Sequence, residues 1–497
     1  MARFVLAIDA GTTSTRCLVV DDEGRVHASA SRPITQHFPH PGWVEHDPEE
    51  IFHAVVATMR HALANARLNA RDVVAVGVAT QRETVVAWER RSGRPVHRAL
   101  VWQDRRTTDV CVDLAREGAG AWVHERTGLR LDPYFSATKI AWLLDHVPGL
   151  RARATRGEIC VGTVDSWILW RLSARRVHVT DVTNASRTSL MDLRGATWDD
   201  ELCELFHVPR EVLARIEPSQ SDFVETDADV LGVSVPVAGV LGDQQAALLG
   251  QGCVREGQAK NTYGTGSFVL RHSGSHAHTG GASLLVTAVA GEAGSSPRYA
   301  LEGSIFATGA ALQWLRDGLG ILDTADQSEA LAASLPDNDD VWFVPAFTGL
   351  GAPHWDPRAR GAVVGITRGT TRVHLARAAL ESIAYQTRDV VDAMNLQTGS
   401  ALPELLADGG ASANGWLMQF QSDVLGVPVV VAAHAEATAL GAAFAAGVHA
   451  RLWRGHEEVA ALAGPGVRYE PTMGASHREA LYARWTQALA RSRDWSA

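Results

Sequence analysis

Lysine is almost absent from this chain of 497 residues. Of its 46 basic residues only Lys139 and Lys260 are lysine, and all the others are arginine. A bias of this kind is typical of genome composition and by itself predicts no function. The formal net charge of −10 gives no electrostatic footprint for nucleic acid or for an anionic membrane surface. We therefore expect no nucleic-acid partner.

Cysteine and long apolar runs are also scarce. No apolar run approaches the roughly 20 residues that span a bilayer, and the first residues lack the pattern of a signal peptide. The cysteines are scattered, without a CxxC pair or a metal-ligand spacing, which is typical of a reducing compartment. They are Cys17, Cys111, Cys160, Cys203 and Cys253. We expect a cytoplasmic protein without stable membrane insertion.

The length of the chain predicts more than one hydrophobic core, since domains usually have roughly 100–250 residues. Hydrophobic residues make up 46% and charged residues 21% of the chain, as in ordinary globular proteins. Strands alternate with helices, and a loop rich in glycine and threonine recurs after residue 250. We predict two related α/β domains, residues 1–250 and 251–497, with a ligand in the cleft between them.

Local sequence signals place the first elements. Apolar runs at residues 4–8 and 16–20 predict two strands joined by a turn. Asp47 as N-cap and Pro48 at the first helical position predict the start of a helix. The small-residue segment 438–447 predicts a helix suited to very close backbone packing. Both halves therefore combine strands and helices.

Three polar loops are candidates for binding a ligand with many oxygen atoms. The first, IDAGTTSTR (residues 8–16), offers more N–H and hydroxyl donors than a turn needs, and it lacks the GxxxxGK[ST] pattern of a Walker loop. KNTYGTGSF (260–268) repeats this chemistry, and DGGASANG (408–415) opens a helix. Each loop alone is compatible with an ordinary turn. Together they indicate nucleotide binding of the actin type, with two phosphate hairpins and an adenosine loop.

Charged residues at the ends of apolar strands are candidates for contacting a second substrate. Because neighbouring strand residues point to opposite faces, Arg82 and Glu83 can meet one ligand only if the chain twists there. A donor beside an acceptor suits hydroxyl groups. Asp243 is either a helix N-cap or a general base. The candidate aromatic walls of such a pocket are Trp102, Tyr134 and Phe268.

Taken together, these segments resemble the FGGY family of carbohydrate kinases. The resemblance runs from the first strand to about residue 450, through DAGTTSTR, PGWVEHDP, TQRET, VWQDRR, DPYFSATKIAWLLDH, GDQQAAL, KNTYGTGSF and DGGASANGWLMQFQSD. Within the family, TQRET with DPYFS and GDQQ indicates the members that phosphorylate glycerol. The resemblance implies an α/β fold of two actin-like (ribonuclease H-like) ATPase domains with an interdomain active site. It also implies ATP-dependent conversion of glycerol to sn-glycerol 3-phosphate.

The resemblance further implies a role for each site residue. Contacts with glycerol are assigned to Arg82, Glu83, Tyr134, Asp243 and Gln244, with Trp102 and Phe268 against the carbon chain. Contacts with ATP are assigned to Thr12, Thr13, Ser14, Arg16, Thr265, Gly309, Gln313, Gly410 and Asn414. Asp9 and Asp243 are assigned to Mg²⁺ through water, and Asp243 also acts as the general base. The implied partners are glycerol, MgATP and further copies of the chain in a dimer or tetramer.

Two alternatives stay open from the sequence. Another FGGY kinase would act on a different polyol or a ketose, although three aromatic walls favour a three-carbon ligand. An actin-like ATPase without an acceptor would explain the three glycine loops. It would leave Arg82, Glu83 and Asp243 without a role.

Overall fold

The computed structural model describes residues 3–173, 176–281, 283–291, 294, 296–464 and 466–495. The strands of the first half are β1 (Phe4–Ala10), β2 (Ser14–Asp21), β3 (Val26–Pro33), β4 (Glu45–His46), β5 (Val73–Thr80), β6 (Val85–Glu89), β7 (Ala99–Leu100), β8 (Ile159–Thr163), β9 (Val179–Asp181), β10 (Met191–Asp192), β11 (Thr197–Trp198), β12 (Arg215–Glu217), β13 (Gln220–Glu225) and β14 (Pro236–Gly242). Its helices are α1 (Pro48–Ala66), α2 (Thr108–Arg116), α3 (Ala119–Thr127), α4 (Ser136–His146), α5 (Leu150–Thr155), α6 (Val164–Leu172), α7 (Val182–Ala185), α8 (Asp200–Leu205), α9 (Ala228–Leu231) and α10 (Asp243–Gly250).

The second half repeats the mixture of strands and helices. Its strands are β15 (Ala259–Tyr263), β16 (Ser267–His272), β17 (Leu285–Ala288), β18 (Tyr299–Ile305), β19 (Trp342–Val344), β20 (Ala362–Val364), β21 (Leu405–Asp408), β22 (Val429–Val431) and β23 (Val467–Tyr469). Its helices are α11 (Gly309–Gln313), α12 (Gln327–Ala333), α13 (Arg372–Thr398), α14 (Gly415–Leu425), α15 (Ala437–His449), α16 (His456–Leu462) and α17 (Ala475–Ser492).

The predicted local elements are present. The two first strands are β1 and β2, which pair antiparallel around the turn between them. The helix predicted after Asp47 is α1, and the Asp47 carboxylate accepts a hydrogen bond from the Glu49 N–H at 2.9 Å, as an N-cap does. These elements form as predicted because their signals are local in sequence.

The first sheet brings three loop starts to one edge. Its six strands run in the order β13-β14-β5-β1-β2-β3, and β14, β5 and β1 are parallel. In this register Asp9 pairs with Ala79, and Gly242 pairs with Thr80. The hairpin after β1 and the segments that follow β5 and β14 therefore leave the sheet side by side.

Helices cover both faces of this sheet, and one of them comes from the second half of the chain. Helices α1 and α6 pack on one face, and α10 and α15 pack on the other. The approach of α15 is close enough that a Cβ on Gly77 would lie 2.1 Å from the Ala442 carbonyl oxygen. The predicted close backbone packing of segment 438–447 is therefore present. A boundary at residue 250 assigns α15 to the second domain, although its packing partners lie in the first.

The second sheet places two glycine loops beside each other. Its seven strands run in the order β17-β18-β16-β15-β21-β22-β23. Strands β15 and β16 form a hairpin closed by the pair Tyr263 and Ser267, and β15 runs parallel to β21 with Thr262 opposite Asp408. The hairpin at residues 264–266 and the loop after Asp408 therefore emerge at the same edge. Among the described residues no helix is long and apolar enough to cross a membrane.

Candidate active site

Two carboxylates lie at the edge where the parallel strands of the first sheet end. Asp9 is the penultimate residue of β1, and Asp243 is the first residue of α10. Burial, together with the nearby Asp243 carboxylate, raises the pKa of Asp9 to about 7. The N-cap of α10 is Gly242, so the side chain of Asp243 is not the cap. Its Oδ1 accepts a hydrogen bond from the Gln244 N–H at 2.7 Å.

This pair is a donor set that fits a hydrated Mg²⁺. Mg²⁺ prefers one or two carboxylates and keeps several water or phosphate oxygens in its octahedral shell. A divalent cation would offset the two effects that raise the pKa of Asp9, the repulsion by Asp243 and the cost of burying a charged carboxylate. Within the described ranges no cluster of three or more His, Cys, Asp or Glu side chains forms an all-protein metal cage. Asp9 and Asp243 are thus the residues suited to hold the ion.

Arg82 and Glu83 both lie inside the protein because the chain turns between β5 and β6. Glu83 has φ of +61°, in the left-handed region that non-glycine residues rarely adopt. This is the twist that the sequence requires for both side chains to meet one ligand. The side chains of Arg82 and Glu83 are each 2% exposed.

The two residues belong to a closed ring of four alternating charges. Arg82 contacts Glu302 through two nitrogens, at 2.6 and 3.0 Å, and Glu302 accepts from Arg187 at 2.9 Å. Arg187 in turn donates to Glu83 at 2.7 Å, and Glu83 lies 3.8 Å from the Nε of Arg82. Although burial opposes it, contact with Arg187 and Arg82 lowers the pKa of Glu302 to about 2. The ring also touches Asp243, whose Oδ1 lies 3.3 Å from the Arg82 Nε.

Aromatic side chains form a wall beside this ring. The ring centroid of Trp102 lies 5.6 Å from that of Tyr134 and 6.4 Å from that of Phe268, both edge to face. The Tyr134 hydroxyl accepts a hydrogen bond from Arg82 at 3.3 Å. Lys139 holds the backbone beneath this wall, donating to the carbonyls of residues 133, 134 and 135 at 2.5, 2.7 and 3.1 Å. The three predicted aromatic residues are thus brought together.

The side chain of the second lysine, Lys260, reaches from the second sheet to a residue of the candidate substrate site. Lys260, on β15, is fully buried and donates to the Gln244 side chain at 2.5 Å and to Thr262 at 2.8 Å. Burial lowers the pKa of Lys260 to about 8, against the opposite effect of Asp408 and Asp243. Lys260 therefore supplies positive charge between Asp243, the predicted base, and Asp408 at the start of the adenosine loop.

The first hairpin has the geometry of a donor loop, but two of its predicted phosphate residues have protein partners. The loop is closed by a hydrogen bond from the Gly11 N–H to the Ser14 carbonyl at 3.0 Å, and Thr13 is exposed. The Thr12 hydroxyl accepts from the indole N–H of Trp102 at 2.8 Å. Arg16 forms an ion pair with Glu436. This hairpin is therefore linked both to the aromatic wall and to the second half of the chain.

The second hairpin is joined to the start of α11. Thr265 is exposed, and its carbonyl accepts from the N–H groups of Thr308 and Ala310 at 2.9 and 3.0 Å. The Gly309 N–H donates to the Gly264 carbonyl at 3.0 Å, and a Cβ on Gly309 would lie 2.8 Å from that oxygen. Gln313 is exposed at the end of α11. The structure thus brings the predicted Thr265 and Gly309 together.

The adenosine loop keeps one of its predicted features and changes another. Gly410 faces open space, as a surface for a flat ring requires. The side-chain oxygen of Asn414 accepts from the Leu417 N–H at 2.8 Å and so caps α14. Its amide N–H reaches the Ser328 hydroxyl at 3.4 Å. The oxygen of Asn414 therefore has a structural role in this conformation.

Three charged residues of the site were missed by sequence reasoning: Arg187, Lys260 and Glu302. For two of them, Glu302 and Lys260, the sequence contains a signal. Glu302 is a single carboxylate in the apolar strand β18, all of whose residues are buried. Lys260 is one of two lysines in an arginine-rich chain, and both lysines are fully buried. Such residues are seldom buried unless they are paired.

Comparison with known proteins identifies the family. Residues 4–250 match the model of the FGGY family of carbohydrate kinases, N-terminal domain, and residues 259–450 match its C-terminal domain. The chain is 52% identical to a glycerol kinase of Dechloromonas aromatica, over 99% of this chain and 98% of that protein. It is 53% identical to a glycerol kinase of Leptothrix cholodnii, over 98% of each.

A solved structure gives the same result for the fold. The structure superposes with a TM-score of 0.92 on the crystal structure of Plasmodium falciparum glycerol kinase with ADP, at 32% identity, covering 99% of this chain and 98% of that one. The predicted actin-like fold of two α/β domains is confirmed by this likeness together with the two family models. The chain belongs to the FGGY family of carbohydrate kinases.

Proposed function

We propose that this protein transfers the γ-phosphoryl group of ATP to a primary hydroxyl group of glycerol, giving ADP and sn-glycerol 3-phosphate. The observation that carries the proposal is the juxtaposition of Arg82, Glu83 and Asp243 beside the aromatic wall. Fixed donors and acceptors suit vicinal hydroxyl groups, and apolar ring faces suit a short carbon chain. The identity to curated glycerol kinases over nearly the whole chain supports the same substrate.

Asp243 is the residue best placed to accept the proton of the attacking hydroxyl group. A primary alcohol is a poor nucleophile, so a carboxylate must take its proton as the bond to phosphorus forms. Burial raises the pKa of Asp243, and the Nε of Arg82, 3.3 Å away, together with Lys260 opposes that rise by favouring the ionised carboxylate. Arg82, Glu83, Tyr134 and Gln244 then orient the three hydroxyl groups.

The nucleotide loops contribute positioning rather than covalent chemistry. Phosphoryl transfer passes through a loose transition state, so oriented N–H donors and cations carry most of the catalysis. The hairpins near Thr13 and Thr265 are the proposed phosphate cradles, and Gly410 is the proposed adenosine surface. Mg²⁺ held by Asp9 and Asp243 would supply charge neutralisation at the phosphates.

We also propose that the enzyme is cytoplasmic and homo-oligomeric. Light scattering would test the oligomeric state.

The experiment that tests this function is an acceptor panel. ADP release is measured with MgATP and glycerol, dihydroxyacetone, erythritol, D-xylulose or gluconate, with a control lacking any acceptor. We expect release to depend on glycerol, with the pentulose near background, because Trp102, Tyr134 and Phe268 crowd the site. Preference for the pentulose or gluconate would indicate a different FGGY kinase. Release independent of every acceptor would indicate an ATPase.

A further inference from the structure

The ring of alternating charges joins the two halves of the chain at the proposed glycerol site. Arg82 follows β5 and Arg187 follows α7, both in the first half, whereas Glu302 lies in the middle of β18 in the second sheet. The side chains of Arg187 and Glu302 are fully buried. No other carboxylate within the described residues contacts both of these guanidinium groups at hydrogen-bond distance.

The contact with Glu302 fixes which donors of Arg82 remain for a substrate. Glu302 takes the two terminal nitrogens of Arg82 in a forked contact at 2.6 and 3.0 Å. A fork of this kind sets the plane of the guanidinium group as well as its position. The Nε of Arg82 then faces Asp243 at 3.3 Å, and one terminal nitrogen also reaches the Tyr134 hydroxyl at 3.3 Å. These are the groups between which we place glycerol.

Glu302 fixes Glu83 as well, through Arg187. Arg187 donates one nitrogen to Glu302 at 2.9 Å and its Nε to Glu83 at 2.7 Å. Without Glu302, two buried arginines would repel each other, and only Glu83 and Asp243, 3.8 and 3.3 Å from the Arg82 Nε, would remain to compensate Arg82. Removing one partner of a buried ion pair leaves the other charge uncompensated. Here those charges would be Arg82, which we place against glycerol, and Arg187, which holds Glu83.

We propose that Glu302 is a positioning residue for glycerol, supplied by the second domain to hold Arg82 and, through Arg187, Glu83 in the orientation that binds hydroxyl groups. The inference rests on the proposed function. It means that the glycerol site is complete only when the second sheet is docked against the first. In this proposal Glu302 acts on the substrate only through the two arginines that it holds.

The variant Glu302→Gln tests this inference, because an amide offers one acceptor and one donor group and can pair with only one arginine. We expect the KM for glycerol to rise about tenfold or more, the loss typical of a charge-assisted hydrogen bond, with the KM for MgATP changed by less than about twofold. Glu302→Asp keeps the charge but shortens its reach, so its KM for glycerol should lie between those of wild type and Glu302→Gln. If Glu302→Gln does not fold, Glu302→Asp decides.

A matched control separates positioning from stability. Glu381 is also a buried carboxylate of the second half, paired with Arg377 at 2.8 Å, and it lies on α13 outside the ring. Glu381→Gln should lower the melting temperature comparably while leaving the KM for glycerol unchanged. An unchanged KM for glycerol in the folded Glu302 variants would overturn the inference. Wild-type protein that does not use glycerol would instead reject the proposed function.

Discussion

Asp243 combines three features at the scale of one residue. It begins α10, it lies 3.3 Å from the Nε of Arg82, and 28% of its side chain is exposed. Burial raises the pKa of Asp243 above its ordinary value, and Arg82 and Lys260 limit the rise. A raised pKa makes the carboxylate a stronger base toward the proton of a hydroxyl group.

Asp243→Asn should lower kcat by about 10²–10⁴-fold, the range typical of a lost general base. The KM for glycerol should change much less, because Arg82, Glu83 and Tyr134 stay in place. Steady-state kinetics at saturating MgATP measures both constants. A variant nearly as fast as wild type would reject the role of Asp243 as base.

Asp9 makes the free energy of unfolding depend on pH. Its pKa is about 7 in the folded protein, above the ordinary aspartate value of 3.8 that applies to the unfolded chain, so the folded state holds this proton more tightly. The stabilising contribution is full below the unfolded pKa and is lost as the pH rises through about 7. In Asp9→Asn the neutral amide replaces the protonated acid at every pH.

We therefore expect Asp9→Asn to match wild type at about pH 3, below the unfolded pKa, and to be more stable than wild type at about pH 8. Urea unfolding without Mg²⁺ or nucleotide measures this difference, and the other titrating groups cancel because both proteins share them. Mg²⁺ should reduce the difference by favouring the charged carboxylate of wild type. An identical pH dependence in both proteins would contradict the burial of Asp9 as its cause.

The residues of the loops were predictable because their types are unusual for turns, whereas the pairing of charges was not. Arg82, Glu83 and Asp243 stand out at the ends of apolar strands. Glu302, the partner of Arg82 and Arg187, lies 220 positions after the first and 115 after the second, and no local pattern encodes such a distance. The hydrogen bond from Trp102 to Thr12 is hidden for the same reason. Residue type thus predicts the chemistry, and the fold decides the partners.

At the scale of elements, α15 shows how small residues allow two backbones to touch. A Cβ on Gly441 would lie 1.8 Å from the Ala246 carbonyl oxygen, and one on Gly250 would lie 1.9 Å from the Ala437 carbonyl oxygen. Backbone atoms cannot move aside as a side-chain end can. The sequence predicted the close packing but not its partner, because α10 lies about two hundred residues earlier.

Gly441→Ala should lower the free energy of unfolding by about 3 kcal/mol, the upper range for overpacking a core. Gly474→Ala is the matched control, since Gly474 has φ of −63° and a Cβ there would meet open space. Chemical denaturation of both variants measures the difference. Equal stability of the two variants would mean that α15 can shift away from α10 without loss.

At the scale of the whole molecule, the first sheet packs against helices that come from the second half of the chain. The cluster that covers one face of the first sheet includes side chains of α15 and α16, such as Phe444 and Val459, together with Trp453. A chain cut at residue 250 would keep α10 on that face of the sheet but would lose α15, α16 and Trp453. The boundary at residue 250 remains a prediction, and a fragment that ends there tests whether residues 1–250 fold alone.

A fragment of residues 1–250 should bind a dye for exposed apolar surface and unfold without a sharp transition. The same fragment joined by a glycine-serine linker to residues 434–464 should bind less dye and unfold cooperatively. Fluorescence and circular dichroism during heating distinguish the two. Cooperative unfolding of the shorter fragment would show that the first sheet does not need α15.

The burial of both lysines has a consequence for chemical modification of the protein. Acylating reagents attack unprotonated amines that they can reach, and the side chains of Lys139 and Lys260 are fully enclosed in the folded state. Succinimidyl esters should therefore leave both side chains unlabelled in the native enzyme and acylate both after denaturation. Because the Lys260 side chain reaches from β15 in the second sheet to Gln244 on α10, the rate of its acylation, read by mass spectrometry, measures how often the domains separate.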